Sequence, residues 1–214
     1  MDNTSRMVAL LAELRRERNG LAADTMRFYG TPYGMNYGVA IHTVREKIAG
    51  MSRDRAFAEY LYLQDVRELR IAALWLADPN GLSSSDFDFW AAGIINSEVA
   101  EQAAMAFLSQ ADCIDELLDG WCAADNVLLC YAAMLAAARN AKCSADTAVA
   151  SVAKSLAAFP DSRLMAQGAV ALLVAVAERS EEGRRQVENM MSSLPEDAPA
   201  ARYLREELSW RLEP

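Results

Sequence analysis

Apolar residues recur every three or four positions along most of this chain of 214 residues, which is the spacing that gathers them on one face of an α-helix. One such stripe consists of Val66, Leu69, Ala73 and Leu76. No run alternates between apolar and polar residues for long enough to predict a β-strand. The pattern therefore predicts an all-α fold.

Glycine, proline and asparagine separate the helical stretches, for example at Asn19-Gly20 and at residues 78–81. The predicted helical segments are residues 4–18, 22–28, 41–50, 53–63, 66–77, 84–95, 97–109, 112–122, 126–139, 144–158, 161–178, 180–193 and 197–212. Helices of this length joined by short turns predict a stack of antiparallel helix pairs, an α-solenoid. We expect a single domain over residues 1–214.

The composition fits a folded domain, because 53% of the residues are hydrophobic and 24% are charged. The net charge is −9, and it is unevenly distributed. Residues 71–138 contain ten Asp and Glu and no Lys or Arg, whereas residues 1–70 contain eleven basic and nine acidic residues. The acidity argues against a generally basic nucleic-acid binder, and its location bears on every functional interpretation.

Signals for metals, disulfides and membranes are missing from the sequence. The four cysteines include no Cys-x-x-Cys pair and His42 is the single histidine, so we expect no metal site and no cofactor. The first residues lead into an amphipathic segment rather than a signal peptide, and no apolar run is long enough to cross a bilayer. We therefore expect a cytoplasmic protein with no membrane partner.

Two segments resemble a known family. The first contains Met26-Arg27-Phe28-Tyr29-Gly30 followed by Tyr37-Gly38-Val39-Ala40-Ile41-His42-Thr43-Val44-Arg45. It resembles the N-terminal signature of the AlkC/AlkD-type DNA alkylation repair proteins, in which a Gly-Val pair precedes a helix bearing a Leu-Arg or similar pair. The second is the segment 66–79, which is similar to that family's His-Glu-x-Arg-x-x-Ala helix and the Asp-Pro turn after it.

The resemblance implies an all-α superhelix of HEAT-like repeats. In active members a concave face holds duplex DNA and removes cationic N3- or N7-alkylated purines by cleaving the N-glycosidic bond. That reaction requires a carboxylate beside the sugar, because negative charge stabilises the developing oxocarbenium ion. It also requires aromatic walls around the cationic base and basic side chains on the phosphates.

The catalytic pattern of that family is only partly matched. Its helix reads approximately Asn-Trp-Asp-x-x-Asp, and the corresponding segment here is Asn96-Ser97-Glu98-Val99-Ala100-Glu101. The tryptophan is replaced by Ser97, and each aspartate by a glutamate. One repeat later the family has an aromatic residue followed by paired arginines. The corresponding segment here is 127–131, which ends in Tyr131, and the first basic residue after it is Arg139.

The resemblance makes Glu101 and Glu98 the candidate catalytic carboxylates, and the flanking Trp90 and Trp121 candidate substrate-binding aromatics. Each assignment has a structural alternative. Two acids in the first turn of a helix also complement its dipole, and tryptophans among apolar residues usually lie in the core.

The basic residues of the N-terminal third are where phosphates would bind, and the candidates are Arg45 and Lys47, together with Arg139 from the later segment. The alternative is that such residues form ion pairs or solvated helix faces. The Tyr-Gly pairs at 29–30, 33–34 and 37–38 either stack on bases or a partner, or form an ordered connection between helices. They lack the Lys-Ser/Thr ending of a P-loop.

The sequence thus leaves two functions open. The first is a divergent DNA alkylation repair protein whose glycosylase activity on alkylated duplex DNA is reduced or lost. The second is a non-catalytic α-solenoid that binds a protein with a basic surface on an acidic concave face.

Overall fold

The computed structural model describes residues 2–31, 33–195 and 197–212. Within these residues the chain is helical, and its only strand-like pairing is an isolated bridge between Met35 and Val66. The helices are α1 (Asn3–Arg16), α2 (Gly20–Phe28), α3 (Ile41–Ile48), α4 (Arg55–Tyr62), α5 (Arg67–Leu76), α6 (Phe87–Ala92), α7 (Ser97–Ala106), α8 (Ile114–Ala123), α9 (Val127–Arg139), α10 (Ala145–Ala158), α11 (Arg163–Arg179), α12 (Glu181–Ser193) and α13 (Pro199–Arg211).

Side-chain caps set where most of these helices begin. At each capped start an Asp, Asn or Ser accepts a backbone N–H from the first turn, which satisfies a donor that has no partner inside the helix. The capping residues are Asp2, Asn19, Asp54, Asn96, Asn126, Ser144, Ser162 and Ser180. These polar residues also mark the breaks between apolar stripes, so the sequence predicted the helix starts well.

The chain divides into two compact units, Met1–Asp78 and Pro79–Pro214. In the first unit α5 packs against α4 and α3, and α1 packs against α3 and α4. Its core includes Leu14, Val44, Phe57 and Leu69, each at most 1% exposed. The prediction of one domain over residues 1–214 stays a prediction.

Two buried helices organise the second unit. Helix α9 packs against α7, α8 and α11, and α11 also packs against α12 and α13. Small residues allow this close packing, since a Cβ added at Gly168 would lie 3.0 Å from the Tyr131 ring and 3.3 Å from Met134 Cβ. Every residue from Leu129 to Ala137 in α9 is at most 9% exposed.

Each of the thirteen predicted segments contains a helix, although some segments are interrupted. The segment 84–95 is a 3-10 turn, Ser84–Asp86, followed by α6. The Asp86 carboxylate accepts the Ser83 N–H at 3.0 Å and fixes this turn. Helix α7 ends at Ala106, and a second 3-10 turn, Leu108–Gln110, follows it. None of the described helices combines the length and apolar character that a bilayer crossing requires.

Candidate functional site

The glycine-rich connection between α2 and α3 is held by two buried charges at the start of α5. The Glu68 carboxylate accepts the backbone N–H of Tyr37 at 3.2 Å and of Val39 at 3.1 Å. Arg67 Nη1 donates to the Val39 carbonyl at 2.7 Å and to Glu68 Oε1 at 3.1 Å. Both side chains are at most 1% exposed. The glutamate of the segment that resembles the family's second signature therefore orders this connection.

Two glycines of this connection lie where a side chain would collide. A Cβ at Gly38, whose φ is +69°, would lie 2.1 Å from the Asn19 carbonyl oxygen. A Cβ at Gly34 would lie 1.8 Å from Asp65 Oδ2. These close approaches favour an ordered connection between helices as the role of Gly34 and Gly38. Tyr29 differs, because it stays 78% exposed beside Phe28.

A cavity of about 520 Å³ opens in the first unit beside Arg45. Its charged and aromatic lining comes from α3, the turn after it and the end of α5, and consists of His42, Arg45, Glu46, Arg53 and Trp75. The guanidinium carbon of Arg45 lies 4.0 Å from the centroid of the Trp75 ring. This cation–π contact orients a charged group that is exposed to solvent.

The two predicted phosphate ligands of α3 differ in their surroundings. Arg45 forms no ion pair within the described part of the chain. Lys47 Nζ lies 2.8 Å from Glu17 Oε1 and 4.0 Å from Glu13 Oε2. The hydrogen bond to Glu17 raises the pKa of Lys47 above its ordinary value. The charge of Lys47 is thus already met by carboxylates, whereas Arg45 presents its charge outward.

Arg139, the third predicted phosphate ligand, is exposed at the end of α9 in the second unit. Its Nη1 donates to the Leu135 carbonyl at 2.8 Å. Arg179 binds the same helix end, because its Nη2 donates to the carbonyls of Ala137 and Ala138 at 3.1 and 2.8 Å. Both arginines therefore complement the negative end of the α9 dipole.

The predicted catalytic carboxylates lie near the start of α7, where the Asn96 side chain accepts the Val99 N–H at 2.9 Å. Glu98 and Glu101 are half-buried. Glu101 Oε1 accepts a hydrogen bond from the Tyr131 hydroxyl at 3.1 Å. Burial, and then the Glu101 charge, raise the pKa of Tyr131 to about 12. The sequence alone does not reveal this partner, since the two residues are thirty positions apart and share no local signal.

The predicted substrate-binding tryptophans are in the core of the second unit. Trp90 is 3% exposed, and its ring centroid lies 4.8 Å from that of Phe107. Trp121 is 4% exposed and meets Phe87 edge-on at 6.3 Å. This burial favours the packing alternative for both residues, and their role in substrate binding stays a prediction.

Lysines from the C-terminal third neutralise part of the acidic segment. Lys142 forms an ion pair with Asp112, and Lys154 Nζ lies 3.7 Å from Asp119 Oδ1. The charge of the α8 surface is therefore less negative than the sequence of residues 71–138 suggests.

The cysteines are free thiols, and Cys122 and Cys130 lie with their sulfur atoms 3.3 Å apart in the core. A hydrogen bond with Cys130, together with burial, raises the pKa of Cys122.

Among the described residues, no group of three or more His, Cys, Asp or Glu side chains is placed to hold a metal ion.

The model of one protein family, described as DNA alkylation repair enzyme, matches residues 10–186. The chain belongs to this family. The match includes both N-terminal signature segments, the α7 carboxylates and the Arg45 cavity, so the family identification made from the sequence is confirmed.

A comparison with solved structures agrees with this assignment. A structure from a family of proteins related to the HEAT-like repeat DNA glycosylases, with affinity for branched DNA structures, aligns over 98% of this chain and 95% of its own, with a TM-score of 0.71 and 16% identity. At that identity the likeness establishes the fold, and the predicted all-α, HEAT-like solenoid class is confirmed. No curated protein sequence matches the chain.

Proposed function

We propose that this DNA alkylation repair family member binds DNA through exposed arginines of its first unit, and that its base-excision activity is reduced or lost. Family membership makes DNA the expected ligand. The relative with the same fold, which has affinity for branched DNA structures, supports DNA binding without requiring excision.

The exposed guanidinium of Arg45, unpaired in the part of the chain that the structure describes, is the observation that best supports DNA binding. Its guanidinium is exposed, oriented on Trp75 and not paired with a carboxylate within the described residues. A guanidinium held in this way can donate to a phosphate without first breaking an ion pair. Lys47 would have to leave Glu17 to do the same. Arg45 is therefore the primary phosphate ligand in this proposal, and Lys47 is secondary.

Three features support reduced excision. Ser97 stands where the resembled catalytic helix has tryptophan. The tryptophans that would replace it as an aromatic wall, Trp90 and Trp121, are enclosed in the core. The Glu101 carboxylate already accepts a hydrogen bond from the Tyr131 hydroxyl, and an attacking water would have to share or displace that contact. These three features favour a reduced or lost excision activity.

Binding of a basic protein is the alternative function. The acidic residues in and just before α8 favour it, since Asp112, Glu116 and Asp119 are exposed. The ion pairs of Asp112 with Lys142 and of Asp119 with Lys154 count against it, because they neutralise two of those three charges. DNA binding is therefore the better supported function.

DNA binding is tested by fluorescence anisotropy with a labelled duplex over a series of salt concentrations. The affinity should fall as salt rises, and Arg45→Gln should lower both the affinity and the salt slope, the slope by about one unit. Arg202→Gln is the matched control, because Arg202 is exposed in the second unit and its loss changes the net charge equally. Absence of salt-dependent binding by the wild type would refute the proposal.

Reduced excision is tested with duplex DNA that carries N7- or N3-alkylated purines. We expect base release close to the spontaneous rate, with Glu101→Gln indistinguishable from the wild type. Rapid release that Glu101→Gln abolishes would show an active glycosylase and refute this part of the proposal.

A further inference from the structure

The cavity beside Arg45 is too small for a duplex and large enough for one nucleotide. Its volume of about 520 Å³ is within the range of about 300–1,000 Å³ that small-molecule pockets occupy. Its walls belong to α3, residues 49–53 and the end of α5, so it is built wholly within the first unit. A duplex held by Arg45 would lie at the mouth of this cavity.

Arg45 and Trp75 form a layered surface at this cavity. The guanidinium carbon lies 4.0 Å from the indole centroid, and Trp75 is itself half-buried. Unpaired bases stack on aromatic side chains and on arginine planes, and such stacking tolerates any base because every base has a π face. The layer of Trp75 and Arg45 therefore offers a flat, cationic platform for a base.

The polar groups around this platform suit the remaining parts of a nucleotide. The Glu46 carboxylate is an acceptor for the exocyclic amino group of guanine, adenine or cytosine, which thymine does not have. His42 and Arg53 bring donors to the same cavity, and arginine matches the geometry of phosphate oxygens. The lining thus provides a surface for stacking, an acceptor for the base edge and donors for a phosphate.

We propose that this cavity binds one unpaired nucleotide of a DNA strand, with its base stacked on the Arg45–Trp75 layer and its amino group at Glu46. The inference rests on the proposed DNA binding and specifies the DNA structure that is preferred. A blunt duplex offers phosphates to Arg45 but no free base, whereas a duplex with an unpaired nucleotide offers both.

The test compares a blunt duplex with the same duplex extended by one unpaired dG, by one unpaired dT and by one abasic nucleotide. The dG extension should bind about tenfold more tightly than the blunt duplex, the equivalent of one stacked base. The dT extension should bind less tightly than the dG extension, and Glu46→Gln should reduce that difference. The abasic extension should gain much less affinity than the dG extension, because it adds a phosphate and no base to stack.

The protein variants separate stacking from loss of fold. Trp75→Leu should lower the ratio of dG-extended to blunt affinity to about one, whereas Trp75→Phe keeps an aromatic ring and should keep most of the ratio. Trp210→Leu is the matched control, because Trp210 is 70% exposed in α13 and lies outside the cavity. Circular dichroism of each variant checks that the helices remain.

The results that would overturn the nucleotide site differ from those that would overturn DNA binding. Equal affinity for the blunt and the dG-extended duplex, or equally tight binding of the abasic extension, would overturn the nucleotide site and leave duplex binding standing. Binding to none of these DNAs would overturn both. An unchanged ratio in a folded Trp75→Leu variant would also overturn the assignment to this cavity.

Discussion

The hydroxyl of Tyr131 on α9 donates a hydrogen bond to the carboxylate of Glu101 on α7, and the two oxygens are 3.1 Å apart. Tyr131 is 8% exposed, so this hydrogen bond joins the predicted catalytic helix to the most buried helix of the second unit. The carboxylate has a structural partner that any role in catalysis would have to release or use.

The titration of Tyr131 should report its contact with Glu101. Burial and the Glu101 charge raise the pKa of Tyr131 from the ordinary value of 10.0 to about 12. Glu101→Gln removes the charge and should lower this pKa, although burial, the larger cause, keeps it above the ordinary value. The phenolate absorbance of each protein, corrected with Tyr131→Phe, measures the change. An unchanged pKa in Glu101→Gln would contradict the contact.

The same shift has a consequence for stability at high pH. A tyrosine whose pKa is higher in the folded state holds its proton more tightly there. Its contribution is therefore fully present below the unfolded pKa and is lost as the pH rises through the folded value. The wild type should lose more unfolding free energy than Tyr131→Phe between about pH 10 and pH 12. Parallel curves for the two proteins would show that Tyr131 does not titrate as described.

Removing the Glu68 charge should destabilise the first unit. Glu68→Gln removes the carboxylate charge that lies 3.1 Å from the buried Arg67 guanidinium and weakens acceptance of the Tyr37 and Val39 N–H groups. Breaking a buried pair costs about 3 kcal/mol. Urea unfolding measures this loss. Glu182→Gln breaks an exposed pair with Arg185 and should cost under about 0.5 kcal/mol; similar losses for the two variants would contradict the structural role of Glu68.

Glycine-to-alanine substitutions should distinguish the destabilisation caused by a positive φ from that caused by a steric clash of the added Cβ. Gly38→Ala meets both a φ of +69° and the Asn19 carbonyl oxygen, and should cost about 3 kcal/mol or more. Gly30→Ala meets only a φ of +73° in open space, and should cost about 1 kcal/mol. Gly120→Ala, in open space within α8, should stabilise by about 0.5–1 kcal/mol. Thermal unfolding ranks the three variants, and a different order would contradict the geometry of the connection.

The sequence predicted the helices because local features determine them. Capping residues such as Asn96 and Ser162 begin helices, and apolar stripes such as that of α5 continue them. The family was also recognisable, since its signature segments are contiguous in the chain. Helix ends were less predictable. Helix α7, for example, ends where the backbone of Phe107 has a φ of −145°, although the residues on both sides of Phe107 are apolar.

The site was less predictable, because its properties depend on contacts between distant positions. No local sequence feature distinguishes the surroundings of Arg45 from those of Lys47. Arg45 is exposed and stacks on Trp75, whereas Lys47 pairs with Glu13 of α1 and with Glu17 in the turn after it. The pairing of Lys142 with Asp112 likewise depends on tertiary packing, since the two residues lie in the turns before α10 and α8, two helices that pack together. The net charge of each segment can be counted from the sequence. Which acidic residues are neutralised by ion pairs with other segments depends on the fold.

The two crowded glycines of the α2–α3 connection have different evolutionary freedom. A side chain at position 38 would strike the backbone of Asn19, which no side-chain movement relieves. A side chain at position 34 would strike only the Asp65 carboxylate, which is 75% exposed and can rotate away if it gives up its contacts with the Gly34 N–H and Arg70. In related chains, position 38 should therefore remain glycine, whereas positions 34 and 65 should vary together, with a small residue at 65 wherever 34 is larger than glycine.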